Sequence, residues 1–452
     1  MQMMLRDMAL ALGLSLTEGQ DVQIAAVETD TRMVTDGALF VCIRGERVDG
    51  HDFAAAAVAA GARAVLAEKP LSGVNAPVLV VENTVRALGQ IAALWRTRAA
   101  ARVVGITGTA GKTTVKEVLS QVLEQRGVTA RNALNLNNQI GMPSSMLHTS
   151  GQEAFWVFEA GISHAGDMDE LAPVLRPDLG LILNVGPGHT EGLGDKGVAW
   201  HKARLLLSLA PQGHGLVCAD YPDLVKEALR NCPDVEFFSA QDADAAFYAQ
   251  WLDGGRYAVK ARAAHYVVET PFCGDYGAEN VAAIAAAAAL LGLEPAEIQA
   301  GFAKAVLPRQ RFACTEKKGW QIIDDTYNAN PLSMSRMVAA ARAKAGQGPL
   351  CLMLGEMREL GDCAAEEHRA LGRLLAAMHP RIICWKGGEL DALRQGLREG
   401  GYDGPVHAVQ TAEAFAALAE GFRHEGGVLL CKGSRSNRLE EMVAAFLNLL
   451  EK

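Results

Sequence analysis

At 452 residues, half of them hydrophobic and 21% charged, the chain is too long for one core and too apolar to be disordered, so two or three folded domains are expected. A net charge of −9 argues against a nucleic-acid partner, and any anionic ligand must therefore meet local positive groups. No basic stretch leads into an apolar core at the N-terminus, and the longest apolar run, 281–291, is shorter than the roughly 18 residues a membrane span needs. A cytoplasmic protein without membrane insertion is expected. Nine scattered cysteines with no CxxC pair read as buried thiols in a reducing compartment.

In chain order, residues 1–98 hold short apolar strands at 39–43 and 64–66 around a small-residue helix at 53–60. Asp49-Gly50-His51-Asp52 supplies a turn and an N-cap before that helix. An Arg-rich stretch at 95–102 then leads into a buried strand, Val103-Val104-Gly105-Ile106. From 99 to 309 strands and helices alternate: a helix at 113–126 ended by Gly127, strands at 155–158 and 179–185, and a helix near 198–209. An Ala-rich helix follows at 278–291, with Gly292 placed to end it. Residues 310–452 alternate again, with strands at 322–325, 350–354, 381–385 and 428–431. The expected fold is α/β in three domains: a small N-terminal α/β module, a central P-loop-type mostly parallel sheet, and a C-terminal Rossmann-like doubly wound domain.

The strongest chemical signal is Gly108-Thr109-Ala110-Gly111-Lys112-Thr113-Thr114, between an apolar strand and a helix. Glycines let backbone N–H groups close around phosphate oxygens, and the helix N-terminus adds partial positive charge. Lys112 would reach the β- and γ-phosphates, and the Thr113 hydroxyl would ligate Mg²⁺. Ile106 stands where the general pattern has a glycine, so this is a shorter variant. By itself the loop does not separate kinase, ATPase and ligase. Glu159 follows the strand at 155–158, at the carboxyl end where α/β sites form, and offers a hard oxygen ligand for Mg²⁺. Asp324-Asp325 reads equally as a turn or as a ribose acceptor.

Further motifs extend over nearly the whole chain. They are Thr29-Asp30-Thr31-Arg32, Gly45-Glu46-Arg47-Val48-Asp49-Gly50-His51-Asp52-Phe53, the loop itself, Asn135-Leu136-Asn137-Asn138-Gln139-Ile140-Gly141-Met142-Pro143, Glu159-Ala160-Gly161 and His189-Thr190-Glu191-Gly192. The last zone adds Asp324-Asp325-Thr326-Tyr327-Asn328-Ala329-Asn330-Pro331, Gly355-Glu356-Met357-Arg358-Glu359-Leu360-Gly361 and Lys432-Gly433-Ser434-Arg435-Ser436. With these the chain resembles the Mur ligase family. Gly355-Glu356-Met357 speaks for the branch that adds a dipeptide over the sibling that adds a single amino acid. Asp30-Thr31-Arg32 argues against a folate-type polyglutamate ligase. A loop protein that hydrolyses ATP without ligating would turn over independently of any peptide.

The resemblance implies an ATP-dependent, amide-forming enzyme working through an acyl phosphate, because a carboxylate is a poor electrophile and repels triphosphate. The implied substrates are UDP-MurNAc-tripeptide and D-alanyl-D-alanine. Residues 1–98 would hold the nucleotide-linked peptide, 99–309 the Mg-ATP, and 310–452 the incoming dipeptide, with hinge closure between them. Two Mg²⁺ ions are implied, held by Thr113, Glu159, His189 and a Lys202 carbamylated by CO₂. For ATP the resemblance implies the residues Gly108 to Thr114, Asn138 at the phosphates, Asn280 and Asn328 near adenine, Arg311 at the triphosphate and Asp325 at the ribose. Asp30, Thr31, Arg32, Gly45 and His51 would form the UDP-sugar pocket, and Asn330, Lys432 and Arg435 would face peptide or dipeptide. Tyr276, Gly277 and Ser163 stand where the family pattern has histidine, asparagine and asparagine. A monomer is expected.

Overall fold

Three stretches of strand–helix alternation give three layered α/β units in the computed structural model, which describes residues 1–186, 190–272 and 274–451. The first has a parallel four-stranded sheet, in the order Ala26–Glu28, Ala38–Val41, Ala62–Ala67, Val78–Val80. Strand Ala38–Val41 is buried at every position, as an apolar run covered on both faces should be. Phe40, Cys42 and Val65 pack to one side, and Leu39, Val41 and Leu66 to the other. The helix expected at 53–60 is a 3₁₀ turn, Gly50–Phe53, running into Ala54–Ala59. Its entry is fixed as expected, by the Asp49 carboxylate accepting the His51 N–H at 3.0 Å.

Helix Thr84–Arg98 joins the first two units. Ala87, Leu88, Ile91, Ala92 and Trp95 recur at helical spacing and enter one cluster with Leu39, Met142 and Leu171. The Trp95 indole donates to Thr149 Oγ1 at 2.9 Å, and Arg96 pairs with Asp178 at 2.8 Å. The Arg-rich stretch is thus in large part a docked helix end.

Among the described residues the central sheet has nine strands, ordered Ala264–Glu269, Arg256–Ala261, Phe247–Asp253, Glu236–Ser239, His214–Cys218, Leu179–Ile182, Arg102–Thr107, Phe155–Glu159, Thr129–Arg131. It is parallel except for the two antiparallel pairings at the first edge. The helix expected at 113–126 runs Lys112–Leu123, and the one near 198–209 is an α-helix, Gly197–Ala203, followed by a 3₁₀ segment, Arg204–Ser208. The strand expected at 179–185 stops at Ile182. Beyond it Leu183 N–H still bonds Thr107 O, and Asn184 bonds the phosphate loop through both its carbonyl and its side chain. Helix Ala278–Leu290 is buried almost throughout, because alanine lets the neighbouring strands approach closely, and Gly292 follows it with φ +87°.

The third sheet is ordered Ala313–Lys317, Trp320–Asp325, Gly427–Lys432, Leu350–Gly355, Ile382–Lys386, Val406–Ala408. Only the first pairing is antiparallel, a hairpin absent from the sequence expectation. Strand Gly427–Lys432 lies between Trp320–Asp325 and Leu350–Gly355, so Asp325, Lys432 and Gly355 end side by side at the carboxyl edge. Cys314 and Cys363 are exposed, which departs from the expectation of uniformly buried thiols, and Cys273 lies outside the described residues. No helix among the described residues is long and apolar enough to cross a membrane.

Candidate active site

The phosphate loop leaves strand Arg102–Thr107 between its neighbours Leu179–Ile182 and Phe155–Glu159. Gly111 caps the following helix with φ +83°, and a Cβ there would stand 2.9 Å from Asn280 Oδ1. Glycine is required both for the left-handed backbone and for the space. Asn184 fixes the loop at three points: its backbone carbonyl accepts Thr109 N–H at 3.1 Å, its Oδ1 accepts Ala110 N–H at 2.8 Å, and its Nδ2 donates to Ala110 O at 3.1 Å. The loop is a preformed cradle of N–H groups at a helix N-terminus, the arrangement that binds phosphate.

Glu159 ends its strand fully buried, yet its carboxylate borders the cleft. Thr113 Oγ1 donates to one oxygen at 2.7 Å, and Asn137 Nδ2 donates to the other at 2.7 Å. Asn132 holds the backbone of Glu159, accepting its N–H at 3.1 Å and donating to its carbonyl at 3.2 Å. A hydroxyl and a carboxylate side by side are hard oxygen donors that fit a divalent cation such as Mg²⁺.

Two amines meet behind the loop. Lys112 Nζ donates to Gly108 O at 2.8 Å and Lys202 Nζ to the same oxygen at 3.0 Å. Lys202 is 2% exposed. Burial first, and then the neighbouring Lys112, push its pKa well below the ordinary lysine range; Lys112 is also lowered, by desolvation against the opposing pull of Glu159. His189 lies outside the described residues.

The C-terminal unit closes the opposite wall. Arg311, Asp325, Asn328, Asn330 and Lys432 line the same cleft, of about 450 Å³, as residues 109–114, Asn138, Glu159 and Asn280. Asn330 Nδ2 donates to Thr109 O at 3.2 Å, a direct bond from this unit to the phosphate loop. Arg311 lies over the Tyr327 ring at 4.1 Å. Lys432 is held by Asp325 at 2.6 Å and by Asn328 O at 2.9 Å, and Asp325 also accepts Phe312 N–H at 3.1 Å. Asp324 takes the turn role, accepting from Thr326 Oγ1 at 2.6 Å and from Thr326 N–H at 3.2 Å. Asn138 Oδ1 accepts Gly141 N–H at 2.8 Å and fixes the start of helix Gly141–Leu147.

Arg435 and the first-unit residues do not line this cleft. Arg435 is exposed and paired with Glu440 at 2.9 Å. Asp30 and Arg32 hold each other in an exposed pair, and the Arg32 side-chain hydrogen bond draws the Asp30 carboxyl down to about 2. Thr31 opens the short turn Thr31–Met33, and Gly45 closes a turn onto Val48 O at 2.9 Å. His51 is buried, with Nδ1 at 2.5 Å from Asp49 and Nε2 accepting Glu68 N–H at 2.9 Å. Both ring nitrogens are engaged within the fold.

Sequence reasoning passed over Asn132, Asn137, Asn184, Lys116 and Glu279. Lys116 is completely buried and donates to the carbonyls of Asn132 and Leu134, which pins the stretch carrying Asn137 and Asn138. The available signal was a polar residue inside an apolar pattern: Asn184 in Leu-Ile-Leu-Asn-Val, and Glu279 at the head of an alanine helix.

Three family models match along the chain: Mur ligase family, catalytic domain, over residues 23–96; Mur ligase middle domain over 106–289; and Mur ligase, glutamate ligase domain, over 310–435. The UDP-N-acetylmuramoyl-tripeptide--D-alanyl-D-alanine ligase of Escherichia coli (strain K12) is 33% identical over 436 residues, covering 95% of each chain. The enzyme of the same name from Bacillus subtilis (strain 168) is 30% identical, covering 93% of this chain and 92% of its own. A crystal structure of MurF from Acinetobacter baumannii superposes with a TM-score of 0.88 at 28% identity, covering 100% of this chain and 99% of that one. The MurF ligase of Thermotoga maritima in complex with ADP superposes with a TM-score of 0.83 at 27% identity, covering 94% and 98%. By its sequence over nearly its full length, and by its fold, the chain belongs to the Mur ligase family.

Proposed function

We propose that the chain is an ATP-dependent ligase that joins D-alanyl-D-alanine to UDP-N-acetylmuramoyl-tripeptide, giving the pentapeptide, ADP and phosphate. The observation that carries the reading is one cleft in which the phosphate loop, the Thr113–Glu159 oxygen pair and Lys112 face Arg311 and Lys432 from another unit, with Lys202 buried behind the loop on the carbonyl that Lys112 also uses. Full-length relatives bearing that enzyme name support the choice of substrates.

In this reading a tripeptide carboxylate oxygen attacks the γ-phosphorus and ADP leaves, forming an acyl phosphate. The dipeptide amine then attacks the acyl carbon; phosphate leaves and the amine nitrogen releases a proton. Both reactants of the first step are anions, so charge must be neutralised where they meet. Lys112 and Arg311 supply fixed positive charge, and the loop N–H groups hold the phosphates. Bound Mg²⁺, one ion at Thr113 and Glu159 and a second near Lys202 with His189, would supply the remaining neutralisation and orient the triphosphate. Asn138, Asn280, Asp325 and Asn328 are assigned to the nucleotide, Asn330, Lys432 and Arg435 to the peptide carboxylates, and Asp30, Thr31, Arg32, Gly45 and His51 to the UDP-sugar.

Lys202 is proposed to be carbamylated. Two ammonium groups on one carbonyl repel, and the buried one gains by losing its proton. The neutral nitrogen attacks the carbon of CO₂, one proton is released, and the side chain becomes an anion beside cationic Lys112. The chain is proposed to act as a monomer, with the reaction set in the cytoplasm.

Purified protein given ATP, the tripeptide nucleotide and D-alanyl-D-alanine should release phosphate and form pentapeptide only when all three are present. Phosphate release indifferent to the peptides would overturn the ligase reading. Lys202→Ala should abolish release, and added short-chain carboxylates should restore part of it; an unimpaired Lys202→Ala enzyme would remove the carbamate.

A further inference from the structure

Helix Pro331–Ala345 of the third unit presents Arg336 to the head of helix Ala278–Leu290 of the central unit. There Arg336 grips Glu279 with both ends of its guanidinium, at 2.5 and 3.1 Å. Glu279 is nearly buried, and each of its oxygens has a second donor: Tyr221 O–H at 2.8 Å on one and Asn184 Nδ2 at 2.6 Å on the other. Arg336 also donates to the Tyr221 oxygen. Burial, and then Glu279, push the Tyr221 phenol upward, so it remains protonated and donates. Asn184 is the residue that holds Thr109 and Ala110 of the phosphate loop. An unbroken chain of hydrogen bonds therefore runs from a side chain of the third unit to the phosphate cradle.

Cys218 and Asp220 lie close enough to Glu279 to suggest a metal-binding trio. Asp220 is instead occupied by Ser239 and the Ala240 N–H, and Glu279 by three donors. Glu279 belongs to the hydrogen-bond chain, and Asp220 to the turn at Ser239.

We propose that Arg336 and Glu279 are positioning residues that couple docking of the third unit to the shape of the phosphate loop, so that ATP is gripped fully only when that unit is seated. The physical reason lies in the orientation of one amide. Asn184 Oδ1 must face Ala110 N–H while its Nδ2 faces a carboxylate, and only Glu279 oriented by Arg336 presents that carboxylate at the required place. Without Arg336, a buried negative charge is left with neutral donors and draws in water or moves toward solvent. The Asn184 amide then loses the partner that sets its rotation. Asn330, which bonds Thr109 O, is a second, independent tie from the same unit.

The inference rests on the ATP-dependent reading above. The test measures the KM for ATP and for the tripeptide nucleotide, with the full chain, for wild type, Arg336→Ala, Arg336→Lys, Glu279→Gln and the double variant Glu279→Gln/Arg336→Ala. The KM for ATP should rise about tenfold in Arg336→Ala and in Glu279→Gln, the range of a typical coupling energy. The double variant should be no worse than either single, and Arg336→Lys should recover much of the loss. The KM for the tripeptide nucleotide should stay within about twofold in every case. An unchanged KM for ATP with only a smaller active fraction would mean a merely structural pair and overturn the inference, as would a double variant whose effect is the product of the singles. If Arg336→Ala does not fold, Glu279→Gln, which keeps the shape but must turn an NH2 group toward either Asn184 or the Tyr221–Arg336 donors, decides alone. An inactive wild type would defeat the ligase reading, whereas an active wild type with unaffected variants defeats only the coupling.

Discussion

Charge is exposed in the first unit and enclosed in the cleft. The Arg32 side chain is 87% exposed and answers to Asp30 beside it, so water and salt screen the pair. Glu159 is fully buried and held by two hydrogen bonds of 2.7 Å, and Lys202, behind the loop, is almost fully buried and bonded to Gly108 O at 3.0 Å. The difference separates two ways of binding an anion. A mobile surface arginine adapts to a large ligand and contributes little to the fold, whereas a dehydrated constellation is costly to assemble and acts strongly on charge that develops within it.

That contrast can be broken by experiment. The largest effect is expected for Glu159→Gln, which keeps the shape and removes the charge: ligation should fall by about 10²–10³-fold, with circular dichroism unchanged. Retention of more than about a tenth of the activity would take Glu159 out of the site. Next comes Gly111→Ala. At φ +83°, with Asn280 Oδ1 2.9 Å from the new methyl group, the left-handed backbone alone costs about 1–2 kcal/mol, and nucleotide affinity by calorimetry should drop at least about tenfold. Gly45→Ala, at an ordinary backbone angle, should leave that affinity as it was.

Arg32→Ala sharpens the comparison from the other side. The melting temperature and the KM for ATP should not move, while the KM for the tripeptide nucleotide should rise about tenfold. That rise should shrink at high salt; a rise indifferent to salt would count against an exposed electrostatic contact.

The smallest effect belongs to His368, buried in the third unit. Its Nε2 accepts Met357 N–H at 3.0 Å and its Nδ1 donates to Ala364 O at 2.7 Å, so the folded ring is neutral. Burial lowers its pKa below the ordinary 6.5. Its contribution to stability is therefore complete above about pH 6.5 and is lost as pH falls through the folded-state value. Denaturant titrations from pH 7.5 downward should show stability declining, and His368→Gln should flatten the slope; equal slopes would exclude His368 as a source of the decline.

Much of the site was legible as motif. The loop, Glu159 and Asp325 stand at strand ends, where sequence order alone puts them on the carboxyl edge of a parallel sheet. Element ends were less legible. Strand Leu179–Ile182 is shorter than its apolar run because its neighbour turns into the phosphate loop after Thr107, a change invisible to the hydrophobic pattern of residues 179–185. The edge hairpin Ala313–Lys317 with Trp320–Asp325 was missed because Cys314, Thr315 and Glu316 are exposed and show no apolar alternation.

From sequence alone follow the three α/β units, the phosphate cradle and the family resemblance, because strand–helix alternation and glycine placement are local properties of the chain. Tertiary structure alone brings Lys202 to the carbonyl that Lys112 also uses, 94 residues from Gly108, and Arg336 to Glu279, 57 residues away. Those meetings depend on how sheets twist and units dock. Their energies come from dehydration, which no single position in a sequence reveals.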